Sequence, residues 1–547
     1  MPSLVLGPLL RHAGETDATI WVETSARCRV EVLGSEAETF CVGGHHYALV
    51  HVTGLERGTC SPYEVALDGE RAWPPPDYDW PAPVIRTVER DQPVEIVFGS
   101  CRTSYPHEPP YTLTKDQDPR GREVDALRAV AMRMREQPPE LWPDALLMLG
   151  DQIYADEVPP ATREFIRSRR DTAVPPGETL ADFDEYCDAY RVAWSDPPLR
   201  WLLSTVASAM IFDDHDVIDD WNTSLQWLVE RRACGWWDER IVGAFSSYWV
   251  YQHMGNLPPD ALASDDHWRA VREADDAEPI LREFAWHADR TVNSTQWSFC
   301  RDVGPARLIM VDSRAGRVLD PGARRMVDDQ EWAFVEARGA DAHHEHVLIG
   351  TSLPWLLAPG MHHLEAWNEA VCDGAWGRWA AQLGEKLRQG LDLEHWAAFR
   401  KSFEGLAGVV RDIGSGRHGD PPATVIALSG DVHHAYVADV GFPRGSGVRS
   451  RVYQAVCSPF RNPLDHHERH ALRAGFSRPA AALGRALARA AGVPDPPIRW
   501  RIRDAPIFDN VVATLRLEGR AATLHIDRAR PRDGSNAGLE RVFTREL

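Results

Sequence analysis

What this chain lacks excludes several classes at once. Its nine cysteines, at positions 28, 41, 60, 101, 187, 234, 300, 372 and 457, form no CxxC pair and are odd in number. Neither a zinc-ribbon spacing nor a disulfide framework fits that pattern. Positive charge is short, with 60 Lys and Arg against 81 Asp and Glu and a net charge of −21. Such a surface repels nucleic-acid backbones and anionic lipid at long range, so no nucleic-acid binding is expected. An anionic substrate then needs a local positive site made of metal ions or a few arginines. No apolar run approaches the about 18 residues of a membrane span, so no stable membrane insertion is expected. The first residues, "MPSLVLGPLLRHAGE", carry no basic stretch, twin-arginine pair or small-residue cleavage site, and the expectation is a cytoplasmic protein.

What is present is a chain of 547 residues, 44% apolar, with 21 Trp. That is enough for a sizeable core and for more than one domain. Residues 3–70 read as short strands ("ATIWVET", "CRVEVLG", "PYEVALDGE") broken by glycines, which predicts an N-terminal β-sandwich of the Ig/fibronectin kind over residues 1–90. The Pro-rich stretch "AWPPPDYDWPAP" (72–83) reads as a linker. From residue 91 to 547 the pattern is α/β. "VEIVFGSC" (94–101), a helical stretch at 121–136 and "DALLMLGD" (144–151) make a βαβ unit. Further apolar runs then alternate with Trp-rich helical insertions. "NVVATLRLE" and "AATLHIDRA" flank Gly519 as an antiparallel hairpin.

The polar residues fall at the ends of the apolar runs. "VFGSC" ends on Cys101, "LMLGD" on Asp151, "MIFDDHD" on Asp213, Asp214 and His215, and "IALSGDVHH" on Asp431 and His433. The carboxyl ends of strands line the ligand crevice in α/β sheets, so these endings converge if their strands share a sheet. In "GDQIYAD", Asp151 and Tyr154 lie three residues apart and can reach one centre across a tight turn. Thiolate, phenolate and carboxylate together favour a ferric or similarly Lewis-acidic ion. Asp213, Asp214 and Asp431 are oxygen donors suited to Ca²⁺, Mg²⁺ or Mn²⁺. A bridged ion pair of this kind clamps displacement at phosphorus. Arg314, with Arg317, Arg102 and Arg461 as weaker candidates, could hold the substrate phosphate. His434 is a lesser rival to His433, because neighbours on a strand point oppositely. Asp216, Asp219 and Asp220 read as solvated or capping residues. The segment at 467–492 reads as a lid or capping helix near the site.

"FGSC", "GDQIYAD", "DDHD" and "SGDVH", in that order and with strand contexts, resemble the PhoD-like family of alkaline phosphatases in the metallophosphoesterase superfamily. "DSRAGR" (312–317) and "SPFRNPL" (458–464) add to the likeness, which covers about residues 94–460. The resemblance implies a metallophosphatase sandwich: two central β-sheets flanked by helices, behind an N-terminal β-sandwich. It implies Fe³⁺ on Cys101, Asp151, Tyr154 and His433. It implies Ca²⁺ on Asp151, Asp213 or Asp214, and Asp431, with Mn²⁺ or Zn²⁺ as substitutes at that second site. His215 would serve as general acid. The expected activity is hydrolysis of a small phosphate monoester or diester by a metal-bound hydroxide. Two other readings compete. A non-catalytic calcium-binding module suits the acidic loops, but such sites seldom recruit a thiolate. A thiol hydrolase using Cys101, His433 and Asp431 would need a positive surrounding, whereas carboxylates raise a thiol pKa.

Overall fold

The computed structural model describes residues 1–532 and 537–547. Its N-terminal unit holds two four-stranded antiparallel sheets. One runs Leu4–Ala13, Asp17–Thr24, His45–Thr53, Phe40–Val42, and the other Ser35–Glu38, Arg29–Val32, Val65–Leu67, Glu70–Trp73. Alternate β-branched residues, among them Ile20, Val22 and Val50 against Val30, Val32 and Val65, share one core, as a pleat with one inward face requires. The Pro-rich stretch does not leave this unit. It connects Glu70–Trp73 to Val84–Arg86, which pairs back on Cys60–Pro62. Proline cannot donate to a ladder, so the stretch interrupts pairing and the chain then re-enters it.

The body is a mixed α/β fold built on two larger sheets. The first has six strands in the order Ala207–Ile211, Ala145–Leu149, Val94–Gly99, Val511–Glu518, Ala521–Pro531, Ala537–Glu546. The second has seven: Phe299–Val303, Ala306–Val311, His346–Thr351, Thr424–Ser429, Arg451–Val456, Tyr436–Gly441, Arg499–Ile502. The sheets face one another across a dry layer to which Ile96, Phe98, Leu147, Leu149 and Ile211 contribute from one side, and Leu308, Met310, Leu348, Ile426 and Leu428 from the other. The intervening residues Val97, Leu146 and Met148 instead join the core under the helices, with Leu127 and Val130 of Ala126–Arg135. Strands covered on both faces must be apolar at every position, hence the unbroken runs "IVFG" and "ALLML". The hairpin around Gly519 forms as the sequence predicts, with Glu518 paired to Ala521.

Buried cations join the N-terminal unit to the body, and Arg301 of the body donates to the Arg11 carbonyl at 2.6 Å. Arg11 exposes none of its surface and donates to the carbonyls of Tyr251 and Gln252 and to Asn256 Oδ1. Tyr251 and Gln252 lie in a π-helical turn, Trp249–His253, whose carbonyls lack ordinary helical partners.

Candidate metal centre

The strand endings meet, but not through one sheet. Cys101, Asp151 and Asp213 follow adjacent parallel strands of the six-stranded sheet, whereas Asp431 and His433 follow Thr424–Ser429 of the seven-stranded sheet. The two crevices face each other because the sheets pack with these ends together. Ser100 ties them, its hydroxyl accepting from the Asp431 backbone N–H at 2.9 Å. Two glycines allow the approach. A Cβ on Gly150 would stand 2.7 Å from the Asp213 Cβ, and one on Gly430 would stand 2.0 Å from the Ser100 hydroxyl.

Four of the residues expected to bind metal hold left-handed backbone: Cys101 at φ 56°, Asp151 at 53°, Asp431 at 65° and His433 at 50°. Non-glycine residues enter this region at a cost and persist where surrounding structure forces them to, most often at functional sites. Asp216 supplies part of that force. It is buried, and its carboxylate accepts from the backbone N–H of Asp151 at 3.1 Å, of Ile153 at 3.3 Å and of Asp213 at 2.9 Å. Of the roles read from sequence, capping describes it and solvation does not.

Among the described residues the side chains form three donor groups, of which Asp214, His215 and Asp219 make one and the other two share a residue. Donor atoms of Cys101, Asp151 and His433 all lie within 4.8 Å of one another, and so do those of Asp151, Asp213 and Asp214. Asp151 is common to both. Tyr154 joins the first, its hydroxyl donating to Asp151 Oδ2 at 3.3 Å and accepting from Asn462 at 3.2 Å. His434, the rival to His433, instead donates from Nδ1 to the Val432 carbonyl and stacks on Tyr436 and Phe508. Asp431 falls outside both groups. Its Oδ1 lies 3.5 Å from Arg314 Nη2 and its Oδ2 lies 3.1 Å from His395 Nε2.

The donors fit metal ions. Asp151 Oδ1 and Asp213 Oδ2 are buried oxygens without a hydrogen-bond partner, an arrangement that native structures otherwise avoid, and Asp214 Oδ1 has only an ion pair at 3.2 Å. Burial pushes the Asp151 carboxyl well above the ordinary range, and neighbouring carboxylates push it further. Burial also raises Asp213, against the opposing pull of Arg314. Burial, then Asp151 and Asp431, push the Cys101 thiol far up, which opposes a free thiolate nucleophile. Burial drops His433 to about 3, so its imidazole is neutral, the form that binds metal. The cluster holds more negative charge than its protein cations offset.

Arg314 is the main such cation. The sequence set it against substrate phosphate; the structure turns it inward, with none of its surface exposed. Its guanidinium bonds Asp213 and, at 2.6 Å, Glu394, and stands 3.2 Å from Asp214 Oδ1. Arg317 shares Glu394 at 3.1 Å, Arg102 pairs with Asp125 at 2.8 Å, and Arg461 binds main-chain carbonyls. Buried acids and carbonyls draw these guanidinium groups into the protein and away from the cleft.

His215 sits beside Asp214, its ring 4.4 Å from that of Tyr154. Its Nδ1 is 2.9 Å from Asp156 Oδ1. Burial opposes its protonation most strongly, but Asp156, Asp214 and Asp151 together outweigh it and raise it well above the usual range. Asp156, Glu365, Glu394 and His395 were not singled out from the sequence. Asp156 closes the "GDQIYAD" motif and was open to notice, whereas the other three lie in the helical insertions and follow no apolar run. The segment expected to cap the site is two helices, His466–Gly475 and Arg478–Ala490, the second lying on Pro359–Cys372. Phe476 between them packs against His434.

Residues 126–286 match the family model of the PhoD-like phosphatases. The match supports a PhoD-like family assignment. Residues 1–85 match a domain of unknown function, DUF7800. A solved structure of PhoD shares the fold, with a TM-score of 0.60 over 98% of this chain and 88% of that one at 11% identity. The purple acid phosphatase PPD1 from yellow lupin (Lupinus luteus) seeds aligns with a TM-score of 0.48 at 10% identity, covering 95% of this chain and 71% of that one. No curated protein matches. The PhoD-like match and the donor clusters together support a metal-dependent phosphoesterase.

Proposed function

We propose that the chain hydrolyses small phosphate esters, monoesters or diesters, at a two-cation centre. The observation that carries this reading is the shared Asp151: one buried carboxylate belongs to a sulfur- and nitrogen-containing group and to an all-carboxylate group. Cys101, Asp151, Tyr154 and His433 would hold the first ion, a set suited to Fe³⁺. Asp151, Asp213, Asp214 and Asp431 would hold the second, with Ca²⁺, Mn²⁺ or Zn²⁺ as the contenders. Two bound cations supply positive charge for the phosphoryl oxygens and a water acidified for attack.

The chain's own residues do the rest. His215, with Nδ1 held by Asp156, presents Nε2 to the cleft and delivers a proton to the departing oxygen. Asp216 fixes the backbone of both aspartate loops, which keeps the carboxylates from moving as charge shifts.

The test is hydrolysis of a chromogenic monoester and diester side by side, with and without added Fe³⁺ and Ca²⁺, against Asp151→Asn. Metal-dependent turnover absent from the variant is expected. Turnover that survives in the variant sinks the reading.

A further inference from the structure

His395 is the one imidazole that touches the carboxylate cluster without having been foreseen. It lies at the start of the short helix Trp396–Ala398, in the insertion after Arg378–Gly390. Its Nδ1 is 2.7 Å from Glu365 Oε1. Glu365 projects from Pro359–Cys372, exposes none of its surface, and leaves Oε2 without a partner. A buried carboxylate only accepts, so Nδ1 carries a proton and Nε2 is the nitrogen left for a metal ion. This carboxylate–histidine arrangement accompanies histidines that bind metal through the other nitrogen.

Nε2 faces a second carboxylate, to which its N–H donates without metal and from which a bound cation would displace that proton. His395 Nε2 is 3.1 Å from Asp431 Oδ2. Two donors each ~2.1 Å from a shared ion at right angles lie ~3 Å apart, so this spacing matches one edge of a coordination shell. Asp431 is the expected second-site ligand that neither donor group includes, and Arg314 Nη2 lies near both Asp214 Oδ1 (3.2 Å) and Asp431 Oδ1 (3.5 Å).

We propose that His395, oriented by Glu365, is a nitrogen ligand of the second cation, which makes that site selective for Mn²⁺ or Zn²⁺ over Ca²⁺. An all-oxygen shell suits Ca²⁺, whereas an imidazole shifts preference toward borderline transition metals. The inference rests on the two-cation reading above.

The experiment is calorimetric titration of chelator-stripped protein with Mn²⁺ alone and with Ca²⁺ alone, for wild type, His395→Gln and Glu365→Gln. Wild type is expected to take two Mn²⁺. In His395→Gln one of the two sites weakens by at least ~100-fold while Ca²⁺ affinity is unchanged, and Glu365→Gln weakens the same site by ~10–100-fold. Electron spin-echo spectroscopy of the two-Mn²⁺ wild type shows directly bound nitrogen at both ions, and at one ion in His395→Gln; this readout needs no activity. Two undiminished Mn²⁺ sites in His395→Gln overturn the proposal, as does an equal loss of Ca²⁺ and Mn²⁺, which would mean that the imidazole only steers Asp431. If wild type itself binds no Mn²⁺, the two-cation reading falls instead.

Discussion

Replacing Arg314 with Met tests what holds the carboxylate cluster together. The guanidinium exposes none of its surface and faces Asp213, Asp214, Glu394 and Asp431. Methionine fills much of the same space and removes the charge. Taking one partner from a buried ion pair costs about 3–5 kcal/mol, because the other charge stays behind uncompensated. Four carboxylates share this arginine, so the upper end of that range is expected for metal-free protein. Bound cations replace the lost charge. Ligand at 100 times its Kd stabilises a native state by about 2.7 kcal/mol, and in the variant each cation also relieves repulsion that Arg314 relieves in wild type. The variant should therefore unfold well below wild type in excess chelator and recover most of the difference when Mn²⁺ is added. Thermal denaturation at one fixed scan rate, with and without metal, measures both. An unchanged midpoint in chelator, together with a raised KM for ester, would refute the reasoning and return Arg314 to the substrate phosphate.

Asp156→Asn should slow hydrolysis of an alkyl ester by roughly 10–100-fold, part of the ~10²–10⁴ worth of general acid catalysis, and barely affect an activated aryl ester whose leaving group needs no proton. An equal fall for both esters in steady-state kinetics counts against proton delivery by His215. Arg11→Met should cost roughly 2–6 kcal/mol, since it strands the carbonyls of Tyr251 and Gln252 at about 1–3 kcal/mol each; the urea midpoint reads this. Burial holds His253 down to about 4 and His362 down to about 3. Both are neutral when folded but take up a proton on unfolding once pH falls below the ordinary histidine value. Stability from each is intact above about pH 6.5 and declines below it, by about 1.4 kcal/mol per pH unit, until the folded value is reached. His362→Gln should remove that slope between pH 6 and 4 in urea titrations, and an unaltered slope would contradict the buried neutral state.

Four candidate metal-binding residues were legible because each follows an apolar strand directly. A parallel strand covered on both faces shows as an unbroken apolar run, and its end is where a backbone can turn and release a side chain into a crevice. Cys101, Asp151, Asp213 and Asp431 all carry that local mark. The partners that orient them do not. Asp156 binds His215 across 59 residues, Glu394 binds Arg314 across 80, and Glu365 binds His395 across 30. No spacing along the chain reports contacts of that separation. Asp216 lay inside a quoted motif, yet its three backbone N–H partners come from two different loops, which only folding brings to one carboxylate.

Arg314 shows the boundary most clearly. Its position after the strand Ala306–Val311 was evident from sequence, but its direction was not. A guanidinium at a crevice can turn outward to a phosphate or inward to carboxylates, and the choice depends on how many buried acids lie within reach. The same holds for the sheets. Local pattern named the strands, since apolar runs and turn residues are properties of neighbours in sequence. Whether their ends met within one sheet or across two was settled by the packing of the faces, a long-range balance of buried area that puts Asp431 and His433 opposite Asp151. By itself the sequence determined the ligand types, their order and the chemistry they favour. Tertiary structure alone decided which charges neutralise which, because that depends on distances between residues the chain keeps far apart.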